Sequence, residues 1–280
     1  MEKRVITNTL LEAFEQSLYN DEKSRATIEK YKRDIQKFVI YSGDKEMDKH
    51  SVLAYKAELG KNYAITSANS MLAAINALFR FAGWIELCVK QFKVQKAVYC
   101  PEEKELTKRE YEALIRAARE KQNERLSLII QTICGTGIRV SELTYITMDA
   151  VPKGEAIVSC KGKTRKIFLV SALRKKLLRY ANEQGITSGM IFVTKTGKAM
   201  NRSNIWRGMK SLCEQAGVSH QKVFPHNLRH LFARTFYGLE KDIAKLADIL
   251  GHSNINTTRI YIMTTCTEHQ KRMESMRLVI

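Results

Sequence analysis

Apolar residues recur at helical spacing along most of this chain. One stripe follows Ser24 and consists of Ile28, Tyr31, Ile35, Phe38 and Val39. Because Ser is a favoured N-cap residue and Gly43 can end a helix, this segment predicts a helix that is capped at both ends. Similar patterns predict helices over 48–60 and 66–83. We therefore expect residues 1–88 to form a small helical domain.

The segment 89–104 has no clear periodicity and mixes Lys, Gln and Tyr with Pro101, which is typical of a linker. Thr107 and Glu110 then have the spacing of a capping box, in which each side chain binds the backbone N–H of the other residue. This spacing predicts the start of a new helix. Helical patterns also predict helices over 108–120, 124–134, 171–184, 201–216, 226–238 and 240–250.

Alternation of polar and apolar residues marks the β-structure. The stretches 155–160 and 165–170 alternate on either side of Gly162 and predict a β-hairpin, and a short strand is expected near 190–194. The predicted fold is therefore mainly α with a small β-hairpin, and residues 105–280 form an α+β domain.

The charge balance is strongly basic. The chain has 47 Lys and Arg residues against 29 Asp and Glu, which gives a formal net charge of +18. This excess favours a polyanionic partner such as DNA, although charge alone does not distinguish DNA from RNA or an anionic membrane. Because no run of about 18 apolar residues and no signal-like N-terminal stretch is present, we expect a cytoplasmic protein. The six Cys residues lack metal-ligand and disulfide spacing and are expected to be reduced thiols.

Five residues have the chemistry that cleavage of a phosphodiester requires. Arg139 and Arg229 can each bind the non-bridging oxygens of a phosphate through a bidentate guanidinium. Tyr261 is the candidate nucleophile, because a tyrosine hydroxyl becomes reactive when neighbouring cations stabilise the developing phenolate. His226 and His252 can donate to the phosphate or carry the phenolic proton, and their division of these tasks stays open.

Two other motifs in the chain are incomplete. His226 and His230 have the spacing of a zinc-binding pair, but Asn227 stands where the His-Glu-x-x-His pattern requires Glu. The segment 162–164 reads Gly-Lys-Thr, but Ile157 stands where a phosphate-binding loop requires its first Gly. The apolar residues that follow His230 indicate that this side chain packs in the protein.

Four segments together resemble the tyrosine recombinase (phage integrase) family, and in layout its short XerC/XerD-like members. These segments are GTGIRVSEL at 135–143, CKGKTRKIFL at 160–169, HNLRH at 226–230 and LGHSNINTTRIY at 250–261. The resemblance covers nearly the whole chain and is sharp from about residue 104 onward. It implies an active site that consists of Arg139, Lys161, His226, Arg229, His252 and Tyr261.

The role of Lys161 depends on this resemblance, because Lys163 and Lys166 lie in the same predicted hairpin. The resemblance implies that Lys161 is the general acid that protonates the leaving 5′ oxygen. Glu142 follows Arg139 by three residues, which is about one turn of a predicted helix, so we expect it to orient that arginine.

The implied function is site-specific recombination of DNA through a 3′-phosphotyrosyl intermediate. Because the phosphotyrosyl ester retains the bond energy, neither ATP nor a metal is expected. The alternatives are a nicking-closing enzyme similar to type IB topoisomerases and a DNA-binding regulator without catalysis. Recombinant products would distinguish the first alternative, and loss of catalytic residues would indicate the second.

The resemblance also implies an architecture. A SAM-like, core-binding domain at 1–88 and a catalytic domain at 105–280, joined by the linker 89–104, would form a clamp on double-stranded DNA. The C-terminal segment 267–280 would pack against a neighbouring protomer in a tetramer on DNA, or else fold back on its own domain.

Overall fold

The computed structural model describes residues 4–43, 45–94, 102–160, 163–194, 196–263, 270 and 273–276. The chain divides into two units, Met1–Lys96 and Ala97–Ile280, and the division lies within the segment 89–104. The predicted fold class, mainly helical with a small hairpin, is confirmed. Within the described ranges, no helix combines the length and the apolar character needed to cross a membrane.

The N-terminal unit is built from helices. They are α1 (Asn8–Asn20), α2 (Arg25–Ser42), α3 (Lys49–Asn62), α4 (Ile65–Phe81) and a 3₁₀ helix (Ile85–Leu87). The helix predicted after Ser24 is confirmed: the Ser24 side chain accepts from the backbone of Thr27, and Gly43 ends α2 with φ 61°. Helix α4 forms the centre of the core, with Leu72, Ile75 and Phe79 fully buried.

The C-terminal unit is larger and contains the hairpin. Its elements are a 3₁₀ helix (Glu102–Lys104), α5 (Lys108–Glu120), α6 (Glu124–Thr136), a 3₁₀ helix (Val140–Tyr145), α7 (Ala150–Lys153), β1 (Glu155–Cys160), β2 (Lys163–Phe168), α8 (Ser171–Glu183), α9 (Arg202–Lys210), α10 (Cys213–Ala216), a 3₁₀ helix (His220–Lys222), α11 (Pro225–Glu240), α12 (Ile243–Leu250) and α13 (Ile255–Tyr261). The capping box of Thr107 and Glu110 opens α5 as predicted.

Helix α6 and the hairpin lie in the main core of this unit. Ile129 and Ile133 of α6 are fully buried, and α6 contacts α5, α8 and α11. Strands β1 and β2 pair antiparallel, with Val158 opposite Arg165 and Ala156 opposite Ile167. Because side chains alternate across a strand, these residues share one face of the hairpin, and that face is directed into the protein.

The helix predicted over 201–216 is interrupted. Helix α9 ends at Lys210 and α10 begins at Cys213. The carbonyl of Ser211 accepts from the Lys121 ammonium at 2.6 Å, and the Ser211 hydroxyl donates to the Gly208 carbonyl at 2.9 Å. These side-chain contacts stabilise a turn where the apolar pattern continues without a break.

The strand predicted near 190–194 is not a strand among the described residues. Met190 and Val193 each form an isolated bridge, with Thr147 and Ala199 respectively. Gly189 and Gly197 adopt φ values of 71° and 74°, so the backbone turns on both sides of the segment and no continuous pairing develops.

Candidate active site

Arg139 lies at a sharp change of direction after α6. Gly137 ends the helix in the left-handed conformation with φ 66°. Arg139 then precedes a 3₁₀ helix, whereas the sequence predicted an ordinary helix at this position. The tighter turn still brings Glu142 back to Arg139, and its carboxylate accepts from the Arg139 backbone at 2.8 Å and from Nη1 at 2.9 Å.

A second arginine, Arg165 of β2, also binds Glu142. Its Nη1 and Nη2 donate to the two carboxylate oxygens at 3.2 and 2.7 Å. Burial acts to raise the pKa of the Glu142 carboxyl, but the hydrogen bonds from the Arg139 backbone and from Arg165 hold that pKa below its ordinary value. Arg165 was not predicted. The available signal was its place on the inward face of β2, two residues before the buried Ile167.

Arg229 is a buried residue of α11, with only 1% of its surface exposed. Its guanidinium donates to the carbonyls of Gly137 and Leu250, which lie at the C-terminal ends of α6 and α12. Helix C-termini leave carbonyl groups without helical partners, so they provide acceptors for a cation. Burial, and then the charge of Arg139, lower the pKa of Arg229 to about 10, which still leaves it charged at neutral pH.

His252 is held between Arg229 and Thr258. Its Nε2 lies 3.0 Å from Nη2 of Arg229, and its Nδ1 lies 2.9 Å from Oγ1 of the fully buried Thr258. Because a guanidinium can only donate, Nε2 accepts, and the ring proton is on Nδ1. Burial, followed by the charge of Arg229, lowers the pKa of His252 to about 4. The ring is therefore neutral at neutral pH.

Tyr261 is the last residue of α13, and 5% of its surface is exposed. Its hydroxyl lies 3.0 Å from Nε2 of His226. The ring also contacts His230, with centroids 4.1 Å apart and planes at 18°, and His252, with centroids 5.0 Å apart. The guanidinium carbon of Arg229 lies 5.9 Å from the ring centroid. Arg139 joins this group because its Nη2 donates to the carbonyl of Gly251 at 3.3 Å. The structure thus brings five predicted residues into one site: Arg139, His226, Arg229, His252 and Tyr261.

The two histidines of α11 are both neutral at neutral pH. Burial, and then the charge of Arg229, lower the pKa of His226. Burial, and then His226, lower the pKa of His230 to about 4. His230 packs in the protein as the sequence indicated, and its packing partner is the Tyr261 ring.

Two predicted features fall on residues that the structure does not describe. Lys161 lies outside the described residues, and so does most of the segment 267–280. Of that segment, residues 270 and 273–276 are described, and Met273 and Met276 are exposed.

Within the described residues, the site combines three guanidinium groups with one carboxylate. Arg139 and Arg165 share Glu142, and Arg229 is bound by carbonyls and an imidazole. The excess positive charge suits a phosphodiester, whose non-bridging oxygens become more negative during substitution at phosphorus. A tyrosine hydroxyl with a neutral imidazole beside it supplies a nucleophile and a proton acceptor.

Comparison with known families gives matches in both units. Residues 104–268 match the family described as "Phage integrase family", and residues 11–85 match "Phage integrase, N-terminal SAM-like domain".

Similar proteins are recombinases. The chain is 30% identical to "Tyrosine recombinase XerA" of Thermococcus kodakarensis, over 97% of this chain and 96% of that protein. It is 28% identical to "Tyrosine recombinase XerD" of Vibrio cholerae, over 77% and 76% respectively. The structure of a lambda integrase tetramer bound to a Holliday junction aligns with a TM-score of 0.75 and 18% identity, covering 93% of this chain and 78% of that one. This structural likeness concerns the fold.

Proposed function

Since the chain belongs to the phage integrase family, we propose that it is a site-specific DNA recombinase that cleaves and rejoins strands through a 3′-phosphotyrosyl intermediate at Tyr261. The matches to the family and to its members confirm the resemblance that the four motifs indicated. The observation that carries the mechanism is the Tyr261 hydroxyl, 3.0 Å from the neutral His226 ring and beside the Arg229 guanidinium.

Cleavage begins when the phenolic oxygen of Tyr261 attacks the phosphorus. An oxygen–phosphorus bond forms, the bond to the 5′ oxygen breaks, and the DNA 3′ end is left as a phosphotyrosyl ester. Arg139 and Arg229 bind the non-bridging oxygens and stabilise the charge that develops on them. Glu142 orients Arg139 by accepting from its backbone and its guanidinium. Rejoining reverses these steps with a 5′ hydroxyl as the nucleophile.

His226 and His252 have different roles in this proposal. The lone pair of His252 Nε2 is directed at Arg229, and its other nitrogen is bound to Thr258. His226 instead places Nε2 at the Tyr261 hydroxyl. We therefore assign the acceptance of the phenolic proton to His226, whereas His252 holds Arg229 and lies next to the bound phosphate.

Lys161 is assigned to the leaving group. An alkoxide leaves poorly, so the 5′ oxygen requires a proton as its bond to phosphorus breaks. The support for Lys161 is its position in the family motif at 160–169, because the residue itself is not described.

The proposed partner is double-stranded DNA, and the proposed assembly is a tetramer on paired sites. The net charge of +18 supports the first part, since contacts to phosphates provide most of the affinity for DNA. The fold likeness to an integrase that was solved as a tetramer on a Holliday junction motivates the second part. Mass measurement of the complex on paired sites would show whether four copies assemble.

The type IB topoisomerase-like alternative uses the same chemistry without strand exchange. The non-catalytic alternative requires the loss of site residues, whereas this chain retains Arg139, His226, Arg229, His252 and Tyr261 together. Recombinant products formed between two sites would exclude both alternatives.

The test begins with a library of nicked duplexes, in which a cleaved fragment is lost and the adduct is trapped. DNA recovered from the SDS-resistant adduct identifies a cleavage site, and the peptide attached to it should contain Tyr261. Tyr261→Phe should bind the recovered duplex normally and form no adduct. Tyr237→Phe, which removes another hydroxyl from the same unit, is the matched control and should form adduct at the wild-type rate.

The same duplex tests Lys161. Sulfur in place of the bridging 5′ oxygen gives a leaving group that needs no proton, so it should restore cleavage by Lys161→Ala and leave Arg139→Ala defective. An adduct on a residue other than Tyr261, or equal restoration of both variants, would contradict the proposed roles.

A further inference from the structure

His230 stacks on the Tyr261 ring. The centroids of the two rings are 4.1 Å apart and their planes differ by 18°, whereas the His226 ring meets Tyr261 nearly edge-on, at 65°. His226 and His230 lie four residues apart on α11, and therefore on one face of the helix. One histidine contacts the hydroxyl of the tyrosine, and the other covers the face of its ring.

Tyr261 needs such a support because of its position in the chain. It is the final residue of α13, a helix of 7 residues, and the ends of helices fray. Ala233, Leu246 and Leu250 belong to the same buried cluster, and of the three imidazoles described near the ring, at 65°, 18° and 49°, His230 is the one that lies nearly parallel to it. The stacked imidazole therefore restricts the orientation of the ring plane, and with it the direction of the hydroxyl.

We propose that His230 is a positioning residue that holds Tyr261 in the orientation from which it attacks. His230 acts through its flat ring and exchanges no proton during the reaction. Burial and the neighbouring His226 and Arg229 keep its ring neutral, with its pKa lowered to about 4, which agrees with a stacking role at neutral pH. This inference rests on the proposed recombinase function.

A positioning role predicts different effects on the two directions of the reaction. Before cleavage, Tyr261 is free, and loss of the stack lowers the fraction of molecules in which the hydroxyl is correctly placed. After cleavage, the ester bond fixes the tyrosine to a phosphate that the arginines hold. Removal of the stack should therefore slow cleavage and leave rejoining from the covalent complex nearly unchanged. A residue that only supports the fold would affect both directions or the binding of DNA.

The experiment compares His230→Phe, which keeps a flat ring, with His230→Leu, which keeps apolar bulk without one. Aromatic pairs contribute enough to change the fraction of placed tyrosine about threefold to tenfold, so His230→Leu should cleave the recovered nicked duplex slower by that factor at saturating protein. His230→Phe should cleave at close to the wild-type rate, and the ratio of the two rates should not change between about pH 6.5 and 8. His220→Ala, at an exposed histidine of the same unit, is the control.

Rejoining is measured by the addition of a 5′-hydroxyl strand to the isolated adduct. Equal loss of cleavage and rejoining in His230→Leu would overturn the inference, as would wild-type cleavage by His230→Leu or a defect in His230→Phe as large as that in His230→Leu. Thermal melts and gel shifts verify that each variant is folded and binds DNA. A wild-type protein that forms no adduct at Tyr261 would contradict the proposed function itself, so the two failures can be distinguished.

Discussion

The contact between Glu142 and its two arginines offers the sharpest test of the site's electrostatics. Glu142→Gln keeps the shape of the side chain but removes its charge and replaces one acceptor oxygen with an N–H₂ donor. The wild-type carboxylate is 2% exposed and receives four hydrogen bonds, at 2.8, 2.9, 3.2 and 2.7 Å, from Arg139 and Arg165. In the variant, at least one guanidinium N–H is directed at another donor.

The loss can be estimated from the burial of each arginine. Breaking a buried ion pair by removal of one partner costs about 3–5 kcal/mol. The Arg165 side chain is 13% exposed and fits this class, whereas the Arg139 side chain is 36% exposed and contributes less because water screens it. We therefore expect a loss of about 3 kcal/mol, which lowers Tm by roughly 6–12 °C for a unit of this size.

The assay is a thermal melt that reports on the C-terminal unit alone. The chain has two tryptophans, Trp84 and Trp206, so fluorescence in a Trp84→Phe background follows Trp206. Glu155→Gln is the control, because Glu155 pairs with Lys166 on the solvent-exposed face of the hairpin, where an ion pair contributes about 1 kcal/mol or less. A melting temperature for Glu142→Gln as high as that of the control would refute the reasoning.

Two further predictions concern the stability of the DNA-free protein. Gly137→Ala should lower the free energy of unfolding by about 1–3 kcal/mol in urea titrations, because Gly137 has φ 66° and an added Cβ would lie 2.5 Å from Phe232. The control is Gly135→Ala, which has open space around the added Cβ and should be neutral or stabilising. Stability should also fall as pH decreases from about 6.5 to 5, because His230 and His252 become protonated in the unfolded chain while the folded protein keeps both rings neutral. Each ring contributes a slope of at most about 1.4 kcal/mol per pH unit. His230→Phe should flatten that slope, and an unchanged slope would contradict the assigned pKa.

Local signals predicted the parts of the fold that depend on local interactions. The cap of α2 at Ser24, the capping box that opens α5 and the hairpin all follow from residues close together in the sequence. Helix α1 was not predicted, although the Thr7 side chain caps it by accepting from the backbone of Leu10. The turn at Ser211 was missed because its carbonyl is bound by Lys121, ninety residues away.

In the candidate site too, features that depend on local sequence were predicted and features that depend on long-range contacts were not. Motif order predicted five residues that the structure brings together, but the Arg165–Glu142 pair and the His230–Tyr261 stack depend on contacts between segments that are far apart in the sequence. Arg165 reaches Glu142 across 23 positions. The stack of His230 on Tyr261 spans 31 positions and depends on how α11 packs against α13. Spacing within a motif contains no information on these distances.

The charges of the site are typical of an anion-binding site and not of a structural ion-pair cluster. A structural ion-pair cluster would be expected to balance its charges, because a buried charge without a partner is costly. Among the described residues of the site, Arg139 and Arg165 instead share the single carboxylate of Glu142, and Arg229 is bound only by neutral groups. The Nε atoms of Arg165 and Arg229 are buried without a hydrogen-bond partner. Each unpaired donor costs about 1–3 kcal/mol. A phosphate bound at the site would reduce the repulsion among the guanidinium groups.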